Sequence, residues 1–268
     1  MLPIRKFGLA IGVVASALVV WPGDAGADSP YDLNRSEEWV WMGTGLTLCV
    51  GGLFAAHAVD PLTPAQIEAV NRNDINSFDR GTMNPYREDH AGDALALSSF
   101  LVPLAFLAND DMREDAQTLG AMWVEATVWS EGLAQVAKSI AQRTRPYVYD
   151  PDAPAYKKTQ TEARLSFYSA HATGTAMNCF FMAKVFSDYS SNKNAEIALW
   201  SGAVLYPALV GFFRVDSGHH FTTDAIVGLV VGGAIGYLVP AMHHRDTGAS
   251  VAPTSNNGGF GLSATFSF

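Results

Sequence analysis

The sequence predicts an all-α fold, a six-helix bundle that ends in a short β-like tail. Six apolar stretches, at about 39–59, 94–108, 117–141, 171–187, 195–213 and 222–241, are rich in Ala and Leu and show no sustained alternation, which favours helices over strands. Two long connections, 60–93 and 146–168, carry the Pro, Asn, Asp and Tyr residues that break helices. The last nine residues behave differently. Phe260, Leu262, Ala264, Phe266 and Phe268 alternate with Gly261, Ser263, Thr265 and Ser267, the period of a strand with one apolar face.

Taken in chain order, residues 1–27 read as an export signal. Arg5 and Lys6 precede an apolar run from Phe7 to Trp21, and Ala25-Gly26-Ala27 offers a small-residue cleavage site. That run is short for a bilayer span, which needs about 20 residues. The signal points to the periplasm or cell envelope. Residues 28–93 hold the first helix and a long polar connection, and 94–245 form the main bundle against which the first helix packs. Residues 246–268 are a linker, rich in Ser, Asn, Gly and Pro, followed by the strand-like tail.

Apolar residues make up 49% of the chain and charged residues 16%, enough to build a sizeable core. A net charge of -9 argues against a nucleic-acid partner, because phosphate backbones select basic surfaces. It does not exclude a small phosphate ligand held by a local cationic pocket. Cys49 and Cys179 lie inside apolar stretches with no motif around them and read as buried free thiols. Stretches 39–56 and 225–242 carry no formal charge and are candidate membrane spans. The others are shorter or carry charges such as Glu125, Glu131, Lys138 and Lys184, and the mean hydropathy of +0.10 is low for six spans. The expectation is an exported bundle, soluble or membrane-associated, that does not cross six times. No oligomeric state is legible.

Three clusters at predicted helix ends carry chemistry. Lys138 and Arg145 would project two turns apart from one face if the helix continues, so that two cations could grip one anion; alone they are an ordinary basic helix end. Ser169 is a plausible N-cap, and the first backbone N–H groups after it, with Ala170, form an anion site beside His171, a proton donor. In the run Phe213-Arg214-Val215-Asp216-Ser217-Gly218-His219-His220-Phe221-Thr222-Thr223-Asp224, Arg214 supplies a guanidinium suited to phosphate. If the segment from His220 is helical, Asp224 lies one turn on and can hold one imidazole nitrogen, leaving the other free to attack. The spacing selects His220 over His219.

In order and spacing, Lys138-x6-Arg145-Pro146, Ser169-Ala170-His171 and Arg214-x5-His220-x3-Asp224 resemble the three motifs of the type 2 phosphatidic acid phosphatase and vanadium haloperoxidase superfamily, which includes bacterial class A acid phosphatases. Two positions depart from its pattern. Tyr168-Ser169-Ala170-His171 stands where the family has Pro-Ser-Gly-His, and Phe213 stands where a Ser precedes the arginine, which removes a hydroxyl from the phosphate site.

The resemblance implies a bundle of that superfamily's kind and a metal-independent phosphatase acting on phosphomonoesters. His220 would attack phosphorus to give a phosphohistidine, and Asp224 would fix its tautomer. His171 would protonate the leaving oxygen, while Lys138, Arg145, Arg214 and the N–H groups near Ser169 and Ala170 would stabilise the equatorial oxygens. No cofactor is expected, vanadate entering only in the haloperoxidase alternative, and the sequence shows neither a Cys/His ligand set nor a Walker-type loop. The expected partner is a phosphorylated lipid, a pyrophosphate or a small phosphoester. The alternatives are a broad-specificity periplasmic acid phosphatase, a vanadate-dependent haloperoxidase and a non-catalytic envelope scaffold.

Overall fold

The computed structural model describes residues 29–245, 249–256 and 259–266, so the export signal read at 1–27 lies outside the described residues. The first apolar stretch is α1 (Arg35–His57). The 60–93 connection has structure of its own. It contains α2 (Pro64–Glu68), opened by a Thr63–Gln66 capping box, a 3-10 turn at Arg72–Asp74, and α3 (Ser77–Gly81), capped by Asn76. The second stretch begins as α4 (His90–Ser98), with Asp89 as N-cap, and then tightens into 3-10 turns at Ser99–Leu101 and Pro103–Ala108. Pro103 has no N–H to return to an earlier carbonyl, so a regular α-helix is interrupted there.

After α5 (Asp110–Glu114) comes α6 (Ala116–Ala141), the longest helix among the described residues. The connection that follows is built from 3-10 turns at Pro146–Tyr149 and Thr161–Arg164 around α7 (Ala155–Lys158). Three long helices complete the bundle: α8 (Ala170–Tyr189), α9 (Lys193–Asp216) and α10 (Thr222–His243). Strands β1 (Ala249–Asn256) and β2 (Gly259–Phe266) pair antiparallel, with Ala249 opposite Phe266 and Asn256 opposite Gly259. Residues 249–256, expected as linker, are thus one arm of this hairpin.

Helices α8 and α10 run parallel in close contact because α10 presents Gly228, Gly232 and Gly236, one per turn, on a single face. A Cβ on Gly232 would stand 2.0 Å from the Thr173 carbonyl oxygen, and one on Gly236 would stand 2.3 Å from that of Met177. Only a missing side chain permits backbones this near, the small-xxx-small packing common between apolar helices. Helix α1 lies on α6 in the same manner, with Gly132 facing the Cys49 backbone. Between these pairs sits the core, in which Leu119, Met122 and Ala126 meet Met177, Phe181 and Val239. The result gathers the C-terminal ends of α6 and α9 and the N-terminal ends of α4, α8 and α10 at one end of the bundle.

The outer faces are apolar. Glu37–His57, His90–Ala108, Lys193–Asp216 and Thr222–His243 are each long and apolar enough to cross a membrane, and no more than 39% of each apolar window is buried. Phe54, Leu97, Leu101, Leu205, Phe212 and Val230 all stand mostly exposed. Soluble monomers rarely expose apolar patches on this scale. The sequence named only 39–56 and 225–242 as candidate spans; 94–108, expected to be too short, gains the length by extending back to His90, and 195–213 extends to Lys193 and Asp216.

Candidate active site

The first cluster is assembled across a helix end. Helix α6 stops at Ala141 because Gln142 turns left-handed (φ 42°), its N–H returning to the Lys138 carbonyl. Arg145 lies beyond, extended as the residue before a proline must be. Lys138 and Arg145 therefore do not project from one continuous helix, contrary to the sequence expectation. Both are nevertheless buried at the same end of the bundle. Arg145 is clamped: Nε donates to the Glu162 carbonyl (2.8 Å), and Nη1 to the His219 carbonyl (3.0 Å) and towards His220 Nε2 (3.1 Å).

The second cluster opens α8. Ser169 is its N-cap, with Oγ accepting from the Ala172 N–H, and Ala170 is its first residue. The Ser169 N–H donates to the Asp224 carbonyl (3.1 Å), tying the starts of α8 and α10 together. His171 keeps 31% of its side chain exposed, and its Nε2 lies 3.1 Å from Asp93 Oδ1.

The third cluster corrects one expectation in detail. Helix α10 starts at Thr222, so His220 precedes it in the bend that follows α9, where the N–H groups of His219 and His220 both donate to the Arg214 carbonyl. Gly218, at φ +70°, supplies the left-handed turn, and a Cβ there would meet the Asn84 carbonyl at 2.8 Å. Asp224 is the third residue of the helix. Its carboxylate accepts the Phe221 N–H (2.9 Å), the Ser166 hydroxyl and the Arg143 guanidinium. His220 Nδ1 lies 3.6 Å from Asp224 Oδ2, within ion-pair range but beyond a hydrogen bond.

The tautomer of His220 follows from its neighbours. A guanidinium only donates, so Nε2, facing Arg145, carries the lone pair and Nδ1 carries the proton on the Asp224 side. The ring is fully enclosed. Burial, with Arg145, Arg214 and Lys138 close by, holds its pKa well below that of a free imidazole. His219 is pushed down to about 2 by burial and then by Arg214 and Arg145. It bonds Ser217 Oγ (2.9 Å) and packs between the rings of Tyr86 and Tyr147, a structural role.

Arg214 is buried, and its Nη1 donates to Asp89 Oδ2 (3.1 Å) and Asp93 Oδ1 (2.8 Å). Its Nε is enclosed with no hydrogen-bond partner, a donor in reserve for an incoming oxygen. Asp93 thus touches both Arg214 and His171 while its own side chain is 60% exposed. It covers the cationic pocket from the solvent side.

Sequence reasoning missed several participants. Arg143 spans two enclosed carboxylates, Asp79 (2.7 Å) and Asp224, and also bonds Thr223 Oγ1 (2.8 Å) and lies 4.1 Å over the Phe221 ring. Asp79 in turn accepts the Thr223 N–H (2.9 Å), and its carboxyl is held below the usual range by hydrogen bonds from Thr223 and Arg143. Asp79, Asp89 and Asp93 all come from the long connection and the helix that follows it. Its unusual length was the available signal, since long structured loops tend to carry function. Among the described residues, those that could hold a metal ion lie elsewhere: Glu38, Glu125 and His243, with ligand atoms within 4.8 Å of one another.

Residues 120–247 match the family model described as the PAP2 superfamily. Among solved structures, the chain is similar to one described as the first transmembrane PAP2 type phosphatidylglycerolphosphate phosphatase from Bacillus subtilis. The identity is 22% and the TM-score 0.48, over 75% of this chain and 96% of that one. No curated protein matches.

Proposed function

We propose that this chain, whose residues 120–247 match the PAP2 superfamily model, is a membrane-bound phosphoesterase that removes phosphate from a lipid through a phosphohistidine at His220. The observation that carries the reading is the state of His220. Its Nε2 lone pair faces Arg145 among three buried cations, Lys138, Arg145 and Arg214, and its proton sits on the Asp224 side. A neutral imidazole among guanidinium groups is a nucleophile ready for an anionic phosphorus centre, because the cations that keep it unprotonated also attract the phosphate.

In the first step Nε2 attacks phosphorus, the ester oxygen leaves, and the Nδ1–H gains a developing positive charge that Asp224 stabilises. His171, half-exposed at the mouth, donates a proton to the leaving oxygen. It then takes a proton from the water that attacks the phosphohistidine, which releases phosphate and restores Nε2. The equatorial oxygens face the Arg145 and Arg214 guanidinium groups, Lys138, and the first N–H groups of α8 after Ser169 and Ala170. Entry requires Asp93 to leave Arg214.

A lipid is favoured over a soluble ester by the surface beside the pocket. Phe212 is 59% exposed two residues before Arg214, and Leu205 and Leu209 continue that face along α9. An acyl chain lying on such a face would bring its phosphate to the helix end. The test is turnover of a diacylglycerol phosphate in mixed micelles and of p-nitrophenyl phosphate, with EDTA present, by the purified chain and His220→Ala. Turnover that favours the lipid, is blocked by vanadate and vanishes in the variant supports the reading. Equal or better turnover of the soluble ester removes the lipid part, and undiminished turnover by His220→Ala removes the mechanism.

A further inference from the structure

At the end of the bundle remote from His220, three helices bring ionisable side chains into the interior. Glu38 comes from the start of α1, Glu125 from the first half of α6 and His243 from the last turn of α10. From Asp224 to His243 the helix rises about 28 Å, so this cluster is separate from the phosphate pocket. All three residues are buried. His243 Nε2 lies 2.8 Å from Glu125 Oε2 and 3.3 Å from Glu38 Oε1. The other oxygen of the same Glu125 carboxylate, Oε1, is enclosed and has no hydrogen-bond partner.

A proton on His243 does not satisfy this arrangement. One imidazolium between two carboxylates leaves the three side chains with a net negative charge and leaves Oε1 without a donor, a costly combination away from water. A divalent cation removes both defects. Two carboxylates and a neutral imidazole balance its charge, and Oε1 becomes a second ligand atom from Glu125. The separations of 2.8 and 3.3 Å are those of neighbouring ligands around an ion bound at about 2.0–2.2 Å.

We infer that Glu38, Glu125 and His243 form a binding site for a divalent transition-metal ion, zinc or manganese in class, that clamps α1 to α6 and α10. On binding, the ion displaces the proton from His243 Nε2. Mixed imidazole and carboxylate donors suit such ions better than magnesium or calcium. The ion takes no part in the phosphate chemistry. It fixes the first helix, which reaches α6 through glycine contacts, at the end opposite the active site.

The full-length chain, purified and stripped with EDTA, is titrated with Zn²⁺ or Mn²⁺ while metal content after dialysis and the thermal midpoint are followed. One equivalent should be retained, and the midpoint should rise by roughly 5–10 °C at a hundredfold excess over the dissociation constant. Glu125→Gln and, as a second variant in case the first folds poorly, Glu38→Gln should each lose that shift and bind at least about tenfold more weakly. His220→Ala should keep it, and initial turnover at 25 °C should not change on EDTA treatment. No retained metal and no shift in the wild type would overturn the inference. So would both variants binding as the wild type does, or loss of the metal on His220→Ala.

Discussion

Arg143→Gln should be the most damaging conservative change near the active site. Its guanidinium bridges Asp79 and Asp224, whose side chains are both 0% exposed, while Arg143 itself keeps 24% exposure. Removing one member of a buried pair costs about 3–5 kcal/mol, because the partner charge is left without compensation. Two carboxylates are orphaned here. Partial access of water at Arg143 and the remaining donors from Thr223, Asn76, Ser166 and Phe221 keep the expected loss within that range rather than twice it.

For a chain of this size a loss of 3–5 kcal/mol lowers the thermal midpoint by roughly 6–20 °C. Catalysis should suffer separately. Asp224 is oriented by Arg143, and Asp224 in turn faces His220 Nδ1, so kcat should fall at least about tenfold at a temperature where the variant is folded, with KM nearly unchanged. Arg143→Lys, which keeps a charge but not the fork, should recover part of the stability. The assay is thermal unfolding in detergent beside steady-state kinetics. A midpoint within about 1 °C of wild type, with kcat intact, would refute the reasoning that Arg143 holds both carboxylates.

Four further outcomes are expected. Arg145→Gln should raise the His220 pKa by removing the nearest cation, and the acidic limb of kcat/KM should move to higher pH. In the wild type the same depressed pKa means that, below about pH 6.5, the unfolded chain binds a proton that the folded chain does not. Stability should therefore fall on acidification by about 1.4 kcal/mol per pH unit from this residue, a slope that denaturant titrations can measure. Gly232→Ala should destabilise by at least about 1–3 kcal/mol, because its Cβ would fall 2.0 Å from a backbone oxygen that cannot move alone; a neutral effect in thermal unfolding would contradict the α8–α10 packing. Asp93→Asn should tighten vanadate inhibition by about tenfold or more, since a carboxylate that competes for Arg214 becomes neutral, and weaker inhibition would show that Asp93 assists binding instead.

Much of the helical framework and of the pocket could be read in the chain because both rest on local patterns. Long apolar runs locate α1, α6, α8, α9 and α10, and motif spacing brings Lys138, Arg145, His171, Arg214, His220 and Asp224 to one end. Their detailed relations were not legible. The i,i+4 spacing suggested a helix through His220, whereas Asp224 caps its own helix at Phe221, which moves the start to Thr222 and opens the gap to His220 to 3.6 Å. Arg143 sits two residues before Arg145, and only the tertiary fold assigns one to the carboxylates and the other to the imidazole. Asp79 and Asp89 act 144 and 125 residues from their partners Thr223 and Arg214, distances along the chain that no periodicity encodes. The glycine row of α10 was visible as spacing, but its meaning depends on which helix it meets.

Trapping the covalent intermediate tests the central claim most directly. The purified chain is mixed with a ³²P-labelled lipid phosphomonoester, quenched in alkali within a turnover, and digested for peptide mapping. The account predicts an acid-labile, base-stable label on the peptide that carries His220, lost in His220→Ala and enriched when His171 is replaced, because breakdown of the intermediate then slows. Turnover without any such label, or a label on another residue, would contradict it.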